Sequence, residues 1–145
     1  MQSLQKPLRL AIVRSSFYED LLVEMEESAR GVLMESGIDA DQVQTIIVPG
    51  AFEIPLACKH VIESDEIDGV IALGIIIQGE THHAGEIVRA CTDGIMRVQL
   101  DSGIPIAHEV LFVHDRSQAE TRVTKGAEAA QSLLRSEEHT SELQS

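Results

Sequence analysis

Gly69-Val70-Ile71-Ala72-Leu73, the polar loop Gln78-Gly79-Glu80-Thr81 and a helical pattern from about His82 to Asp101 together decide the fold. A short β-branched run that passes through a tight polar loop into a long helix is a strand with its crossover helix. Reading towards the amino terminus, Ile54–Ile62 is a helix with Pro55 in its first turn, where no intrahelical N–H is needed. Val43–Val48 is a β-branched strand stopped by Pro49-Gly50. A helix over about Tyr18–Ser36 places Leu21, Leu22, Met25, Ala29, Val32 and Leu33 at helical spacing and ends at Gly37. Leu8–Val13 is the first strand, apolar enough to be covered on both faces. Reading the other way, Gly103 closes the long helix, Ile104–Val113 is a fourth strand, and Asp115–Arg122 and Lys125–Leu134 are helices. Strands alternate with helices throughout. The expectation is therefore an α/β domain of flavodoxin-like type, a three-layer sandwich with a four-stranded parallel sheet between helices.

The composition narrows the function. The chain has 145 residues, 24 acidic and 11 basic, for a formal charge of −13. Phosphate backbones are repelled by such a surface, so nucleic acid is not an expected partner, although a local basic pocket can still hold a small phosphate. Two cysteines make no disulfide framework, and no Cys/His spacing suits a metal. Apolar runs are short and broken by charges, and Met1–Leu10 lacks the long apolar stretch of a secretory signal. A soluble cytoplasmic protein is the expectation.

The last eleven residues read differently. Arg135-Ser136-Glu137-Glu138-His139-Thr140-Ser141-Glu142-Leu143-Gln144-Ser145 resembles the translation of a common sequencing-adapter oligonucleotide. Only Leu143 is apolar after Leu134. On this reading the domain is 1–134, residues 135–145 are a non-native tail that packs against nothing, and the natural last helix is cut short.

In an open α/β sheet ligands sit beyond the carboxyl ends of the strands. That rule selects Ser16-Phe17-Tyr18, Pro49-Gly50-Ala51-Phe52-Glu53 and Gly74-Ile75-Ile76-Ile77-Gln78-Gly79-Glu80-Thr81-His82-His83. The chain has only three phenylalanines and one tyrosine, and Phe17, Tyr18 and Phe52 fall in these segments. A flat aromatic surface beside a carboxylate and histidines suits a planar heterocycle with polar substituents. Phe17 taken alone reads equally well as a core or staple residue. Thr81, at the start of a helix, can serve an anion held by unpaired backbone N–H groups or can simply cap the helix. His82 and His83 offer imidazoles for acid–base work, but adjacent helical positions point about 100° apart, so the two do not share a metal. Glu53 can accept from sugar hydroxyls or stabilise a helix start, the latter worth about 0.3–1 kcal/mol. Arg122 and Lys125 can clamp a phosphate or stand as solvated surface charge. Cys58 and Cys91 lie in helical patterns and read as small buried apolar residues.

Val48-Pro49-Gly50-Ala51-Phe52-Glu53-Ile54-Pro55, Ala72-Leu73-Gly74 and Gly79-Glu80-Thr81-His82-His83, in that order, resemble the 6,7-dimethyl-8-ribityllumazine synthase family from about Leu8 to Leu134. Lys125-Gly126-Ala127-Glu128-Ala129-Ala130 is similar to the opening of that family's last helix. The resemblance implies a transferase of riboflavin biosynthesis. It would condense 5-amino-6-(D-ribitylamino)uracil with 3,4-dihydroxy-2-butanone 4-phosphate, releasing the lumazine, phosphate and water, with no cofactor or metal. It implies that Phe17 stacks on the pyrimidine, that Ala51, Phe52 and Glu53 hold the ribityl chain and ring edge, and that Ile75, Ile76 and Ile77 meet the uracil largely through backbone groups. Glu80 and Thr81 correspond to the pair at the substrate phosphate, His83 to the proton-transferring histidine, and Arg122 to a phosphate-binding arginine. It also implies a homopentamer or a sixty-subunit shell, with His108 at the position of an aromatic given to the neighbour's site.

Departures from the pattern are local. Tyr18 replaces a usual Asn, Gln78 replaces a frequent Arg, and the chain between Arg122 and Lys125 is about five residues short. A non-catalytic lumazine- or flavin-binding homologue and a purely structural shell protein stand as alternatives, separated from the enzyme by whether product forms. A flavodoxin-like electron carrier does not fit, because Val13-Arg14-Ser15-Ser16-Phe17 is too short and glycine-free for a flavin-phosphate loop.

Overall fold

The structure, a computed structural model, describes residues 7–80 and 82–144, with side chains as far as 138. Four strands, β1 (Leu10–Ser15), β2 (Val43–Val48), β3 (Gly69–Ile77) and β4 (Ile106–Val113), form one parallel sheet in the order β2-β1-β3-β4. Between and after them run α1 (Glu19–Glu35), α2 (Ile54–Asp65), α3 (Ala84–Ser102), α4 (Arg116–Glu120) and α5 (Lys125–Gln144). This is the α/β three-layer arrangement that the alternating pattern predicts.

Side-chain alternation along the strands makes two cores. Leu10, Ile12, Ile71, Leu73, Ile75 and Ile77 face α1 and α5, meeting Leu22, Met25, Leu33, Ala130 and Leu133. Ala11, Val13, Val70, Ala72 and Ile76 face α2 and α3, meeting Ile54, Cys58, Val61, Cys91 and Ile95. Both cysteines are buried, and burial pushes their thiols up to about 12 for Cys58 and about 11 for Cys91. They pack as apolar groups, not nucleophiles.

Two close approaches depend on glycine. A Cβ on Gly126 would lie 2.0 Å from the carbonyl oxygen of Met25 and 2.6 Å from Ser28 Oγ, so α5 crosses α1 backbone to backbone. A Cβ on Gly74 would lie 3.3 Å from Ile54 Cδ1 and from Val110 Cγ1, so Gly74 lets the start of α2 close on β3.

The boundaries depart from the sequence pattern where polar residues are involved. β1 starts and ends two residues later than Leu8–Val13, because Arg14 and Ser15 stay in the sheet and are buried. β3 runs through Gly74 to Ile77, its β-branched end pairing with Leu111, Phe112 and Val113 of β4. α3 begins at Ala84, since His83 takes a left-handed conformation with φ 61°. α4 is shorter than Asp115–Arg122. Asp115 caps it, accepting from the Gln118 N–H at 3.0 Å. α5 does not stop near Leu134 but continues helically to Gln144. The segment contains no Gly or Pro, and propagating an existing helix requires little. Arg135, Ser136 and Glu138 are exposed, and Glu137 is half-buried.

Candidate active site

The chain leaves β1 for β2 on one side, while β3 lies on the other. The carboxyl ends of β1 and β3 therefore flank the point where the winding reverses. A hollow of about 210 Å³ opens there, lined by Phe17, Gly50, Ala51, Phe52, Glu53, Ile75, Ile76 and Ile87. Two loops, the end of β3 and one helix supply its walls, and each is placed by local chemistry.

Phe17 stands on the turn after β1. The Ser16 N–H donates to the Val48 carbonyl at 2.8 Å, extending the β1–β2 ladder one residue. Phe17 is 54% exposed, with its ring edge-on to Tyr18 at 4.7 Å between centroids. Tyr18 then takes a left-handed conformation, φ 66°, before α1 begins. That position suits Asn better than a bulky residue, which gives the Tyr18 departure a physical meaning. The Tyr18 hydroxyl donates to Glu80 Oε1 at 2.7 Å and ties the β1 loop to the β3 loop.

Glu53 closes the turn after β2. Its Oε1 accepts from the Gly50 N–H at 2.8 Å, while Phe52 is 63% exposed at the rim. A carboxylate has further lone pairs for a ligand's hydroxyls, so closing the turn and binding a polyol are compatible. Ile75 and Ile76 reach the hollow from the end of β3, whereas the Ile77 side chain is buried among the α1 and α5 residues.

The charged candidates lie outside that hollow. His83 precedes α3, 72% exposed, with Nδ1 3.4 Å from Glu86 Oε1. That contact at Nδ1 leaves Nε2 for proton transfer. The His82 and His83 rings stand 6.3 Å apart and tilted. Glu80 is exposed and held by Tyr18. Thr81 lies outside the described residues. Arg122 is exposed in the turn between α4 and α5, and its backbone N–H donates to the Ala119 carbonyl. Lys125 Nζ lies 3.2 Å from Glu128 Oε1. His108, on edge strand β4, lies within 3.3 Å of Thr92 Oγ1 of α3, and burial holds its imidazole below the ordinary range. It is not among the residues that line the Phe17 hollow.

Sequence reasoning missed Ile87, the Tyr18–Glu80 bond and a buried ionic group behind Phe17. Ile87 was detectable from helical spacing with Ala84 and Cys91. The other two join residues on different elements and leave no periodic signal. A larger hollow, about 390 Å³, lies between α2 and α3 near Lys59, Glu63, Arg97 and Asp101. Those helix ends lie at the amino edge of the sheet, and opposite charges balance there, so size alone does not make it the site. Among the described residues no group of three or more His, Cys, Asp or Glu is arranged to hold a metal, and no helix is long and apolar enough to cross a membrane.

A parallel α/β sheet with a reversal point between β1 and β3 is of the doubly wound class, whose members bind small molecules at that point, and here an aromatic and a carboxylate stand beside it. The chain belongs to the 6,7-dimethyl-8-ribityllumazine synthase family, whose model matches residues 7–139. It is 39% identical to the 6,7-dimethyl-8-ribityllumazine synthase of Polynucleobacter necessarius subsp. necessarius, over 88% of this chain and 75% of that protein. It is 43% identical to the synthase of that name from Nitrosospira multiformis, over 85% and 78%. The corresponding protein of Paraburkholderia phymatum is 40% identical over 88% and 74%.

Proposed function

We infer that the chain is a transferase that condenses 5-amino-6-(D-ribitylamino)uracil with 3,4-dihydroxy-2-butanone 4-phosphate to give 6,7-dimethyl-8-ribityllumazine, phosphate and water in riboflavin biosynthesis. The observation that carries this is the Phe17–Glu53–Ile76 hollow at the sheet reversal in a chain of this family. The uracil's amine attacks the ketone and, with loss of one water, forms an imine. Phosphate is eliminated, the ribityl-bearing nitrogen closes the ring on the remaining carbonyl, and a second water leaves. These steps need two held substrates, proton transfers and charge balance at the departing phosphate.

Each residue's part follows from its chemistry. Phe17 offers a face to the pyrimidine. Ala51, Phe52 and Glu53 take the ribityl chain and ring edge, with Glu53 accepting from hydroxyls. Ile75, Ile76 and the backbone of Ile77 meet the uracil. His83 moves protons through Nε2. Arg122, with Glu80 and Thr81, receives the phosphate. In a chain of charge −13 that phosphate needs a local cation, and Arg122 is well placed in sequence to supply it.

One protomer's hollow is smaller than the roughly 300–1,000 Å³ of a typical complete small-molecule site. Its size supports a homo-oligomer, a pentamer or a sixty-subunit shell, in which His108 faces a neighbour's hollow. Leu56 on α2 and Met96 and Leu100 on α3 are exposed and available to such an interface. The setting we propose is cytoplasmic. We also read residues 135–145 as outside the natural domain, supported by the segment's polar composition and the exposure of Arg135, Ser136 and Glu138; half-buried Glu137, close enough to Asp68 to feel its charge, departs from a tail that packs against nothing.

The test is the two-substrate reaction, followed by the absorbance and fluorescence of the lumazine. Product at a rate above the uncatalysed mixture is expected. No product from the folded protein overturns the assignment.

A further inference from the structure

Arg14 is a charged residue in the middle of the parallel sheet, only 4% exposed. By strand alternation it points to the same face as Leu10 and Ile12, towards α1. A guanidinium is costly to bury unless its donors are met. Here they are met by α1. Arg14 Nε donates to Glu26 Oε1 at 2.8 Å, and its two terminal nitrogens donate to the two oxygens of Glu19 at 3.0 Å each. One of those nitrogens also reaches the Ser15 carbonyl at 3.2 Å. Glu26 is fixed in turn by Arg30 Nε at 2.9 Å and Thr45 Oγ1 at 2.5 Å, and Arg30 also holds the Val43 carbonyl. The result is a continuous ionic bracket joining β1, β2 and α1.

Its position matters more than its strength. Arg14 is the next-to-last residue of β1 and Glu19 the first of α1. The fork between them spans the turn Ser16-Phe17-Tyr18, the turn that carries the Phe17 ring into the hollow. Tyr18 within it holds a left-handed conformation that a tyrosine does not prefer, and no side chain caps the helix there. Fastening α1 to the sheet does not require a charge at position 14, since apolar residues replace buried ion pairs without loss in many proteins. A bidentate fork differs from apolar packing in setting an angle as well as a distance.

We propose that Arg14, acting through Glu19, is a positioning residue that fixes the Phe17 turn and so sets the enzyme's grip on the ring-bearing substrate. The proposal rests on the synthase reading, and it reaches the phosphate side only through the Tyr18–Glu80 hydrogen bond.

Glu19 is the accessible end of the bracket, 54% exposed, so Glu19→Ala can be made without opening the core. Steady-state kinetics are run on the full chain with each substrate varied in turn. Glu19→Ala is expected to raise KM for the ribitylaminouracil by about three- to tenfold, the scale of a lost aromatic contact geometry. KM for the phosphate substrate and kcat stay within about twofold. Glu19→Gln, which keeps an acceptor, and Arg14→Lys, which keeps the charge without the fork, fall between. In a Phe17→Ala background, Glu19→Ala changes the ring-substrate KM no further.

An unchanged ring-substrate KM in Glu19→Ala overturns the proposal. So does a joint rise of both KM values with a fall in kcat, which marks general loosening. A further KM rise in the Phe17→Ala background overturns action through Phe17. No product from the unaltered chain overturns the synthase reading and the proposal with it, whereas product from that chain with indifferent Glu19 variants removes the proposal alone.

Discussion

The two halves of the candidate site are built on different principles. On the ring side, Phe17, Ala51, Glu53, Ile75 and Ile76 line one hollow in a single protomer, and its apolar walls continue into the core beneath. On the anion side, Glu80 and His83 are exposed on the connection between β3 and α3 and Arg122 on the turn between α4 and α5, and His83 and Glu80 contact Glu86 and Tyr18. Burying apolar surface assembles the first half during folding. No such force draws charged groups together, because they are better solvated apart until an anion arrives. A stacking surface is thus built by the fold, while a phosphate site is built by its ligand and its surroundings.

The two halves share one support. α1 follows the Phe17 turn, α5 follows the Arg122 turn, and the helices cross where Gly126 meets the Met25 carbonyl. Gly126→Ala forces them apart, since its Cβ would sit 2.0 Å from that oxygen. The largest effect is expected here, a loss of about 1–3 kcal/mol or more in chemical denaturation, with both substrate KM values raised. An unchanged denaturation midpoint would show that α5 slides freely and that the halves have no common foundation.

The halves should separate kinetically. Arg122→Ala is expected to raise KM for the phosphate substrate by ten- to a hundredfold, roughly the range of a charge-assisted hydrogen bond, and to leave the ring substrate's KM within about twofold. Phe17→Ala is expected to do the reverse, about three- to tenfold. If Arg122→Ala leaves the phosphate substrate's KM unchanged, the shortened segment before Lys125 has displaced the cation, and the anion side needs another residue.

Legibility in the sequence followed the same division. The ring side could be read because aromatics are scarce and three of the four fall after strands, where an open sheet places its ligands. β2 was legible to the residue, bounded by Pro49-Gly50 and made of β-branched residues. The end of β1 was not, because an arginine reads as a strand terminus unless its carboxylates are seen, and Glu19 and Glu26 lie five and twelve residues away. Nor could spacing choose between His82 and His83; that choice rests on the family pattern. Helical continuation past Leu134 leaves no apolar periodicity to read, because a polar stretch without breakers propagates an existing helix without facing a core.

His83→Ala should give a smaller change, a fall in kcat of about tenfold, below the roughly 10²–10⁴ of full general acid–base catalysis. Holding two reactive molecules together supplies most of the acceleration in a condensation of this kind. A thousandfold fall would make proton transfer dominant and promote the anion side to the chemical centre.

The smallest effect concerns pH and lies outside both halves of the protomer's own site. Burial beside Thr92 lowers the His108 pKa, so the folded chain takes up a proton there less readily than the unfolded chain. Below the ordinary histidine value of about 6.5, the unfolded state binds more protons, and stability falls as pH falls. Glu109, its neighbour on β4, has the opposite sign. Burial raises its carboxyl, so the folded chain holds that proton more firmly, and its contribution grows in acid. Glu19, Glu26 and Asp115 are lowered by their partners and lose stability only in stronger acid, near and below the ordinary carboxyl range. The His108 contribution is isolated by comparing the unaltered chain with His108→Gln in denaturant titrations between pH 7 and pH 5. The unaltered chain should lose stability more steeply over that window, and the difference should flatten below it. Parallel curves would mean that the imidazole is no harder to protonate in the folded state, as it would be if water reaches it freely from the edge of β4.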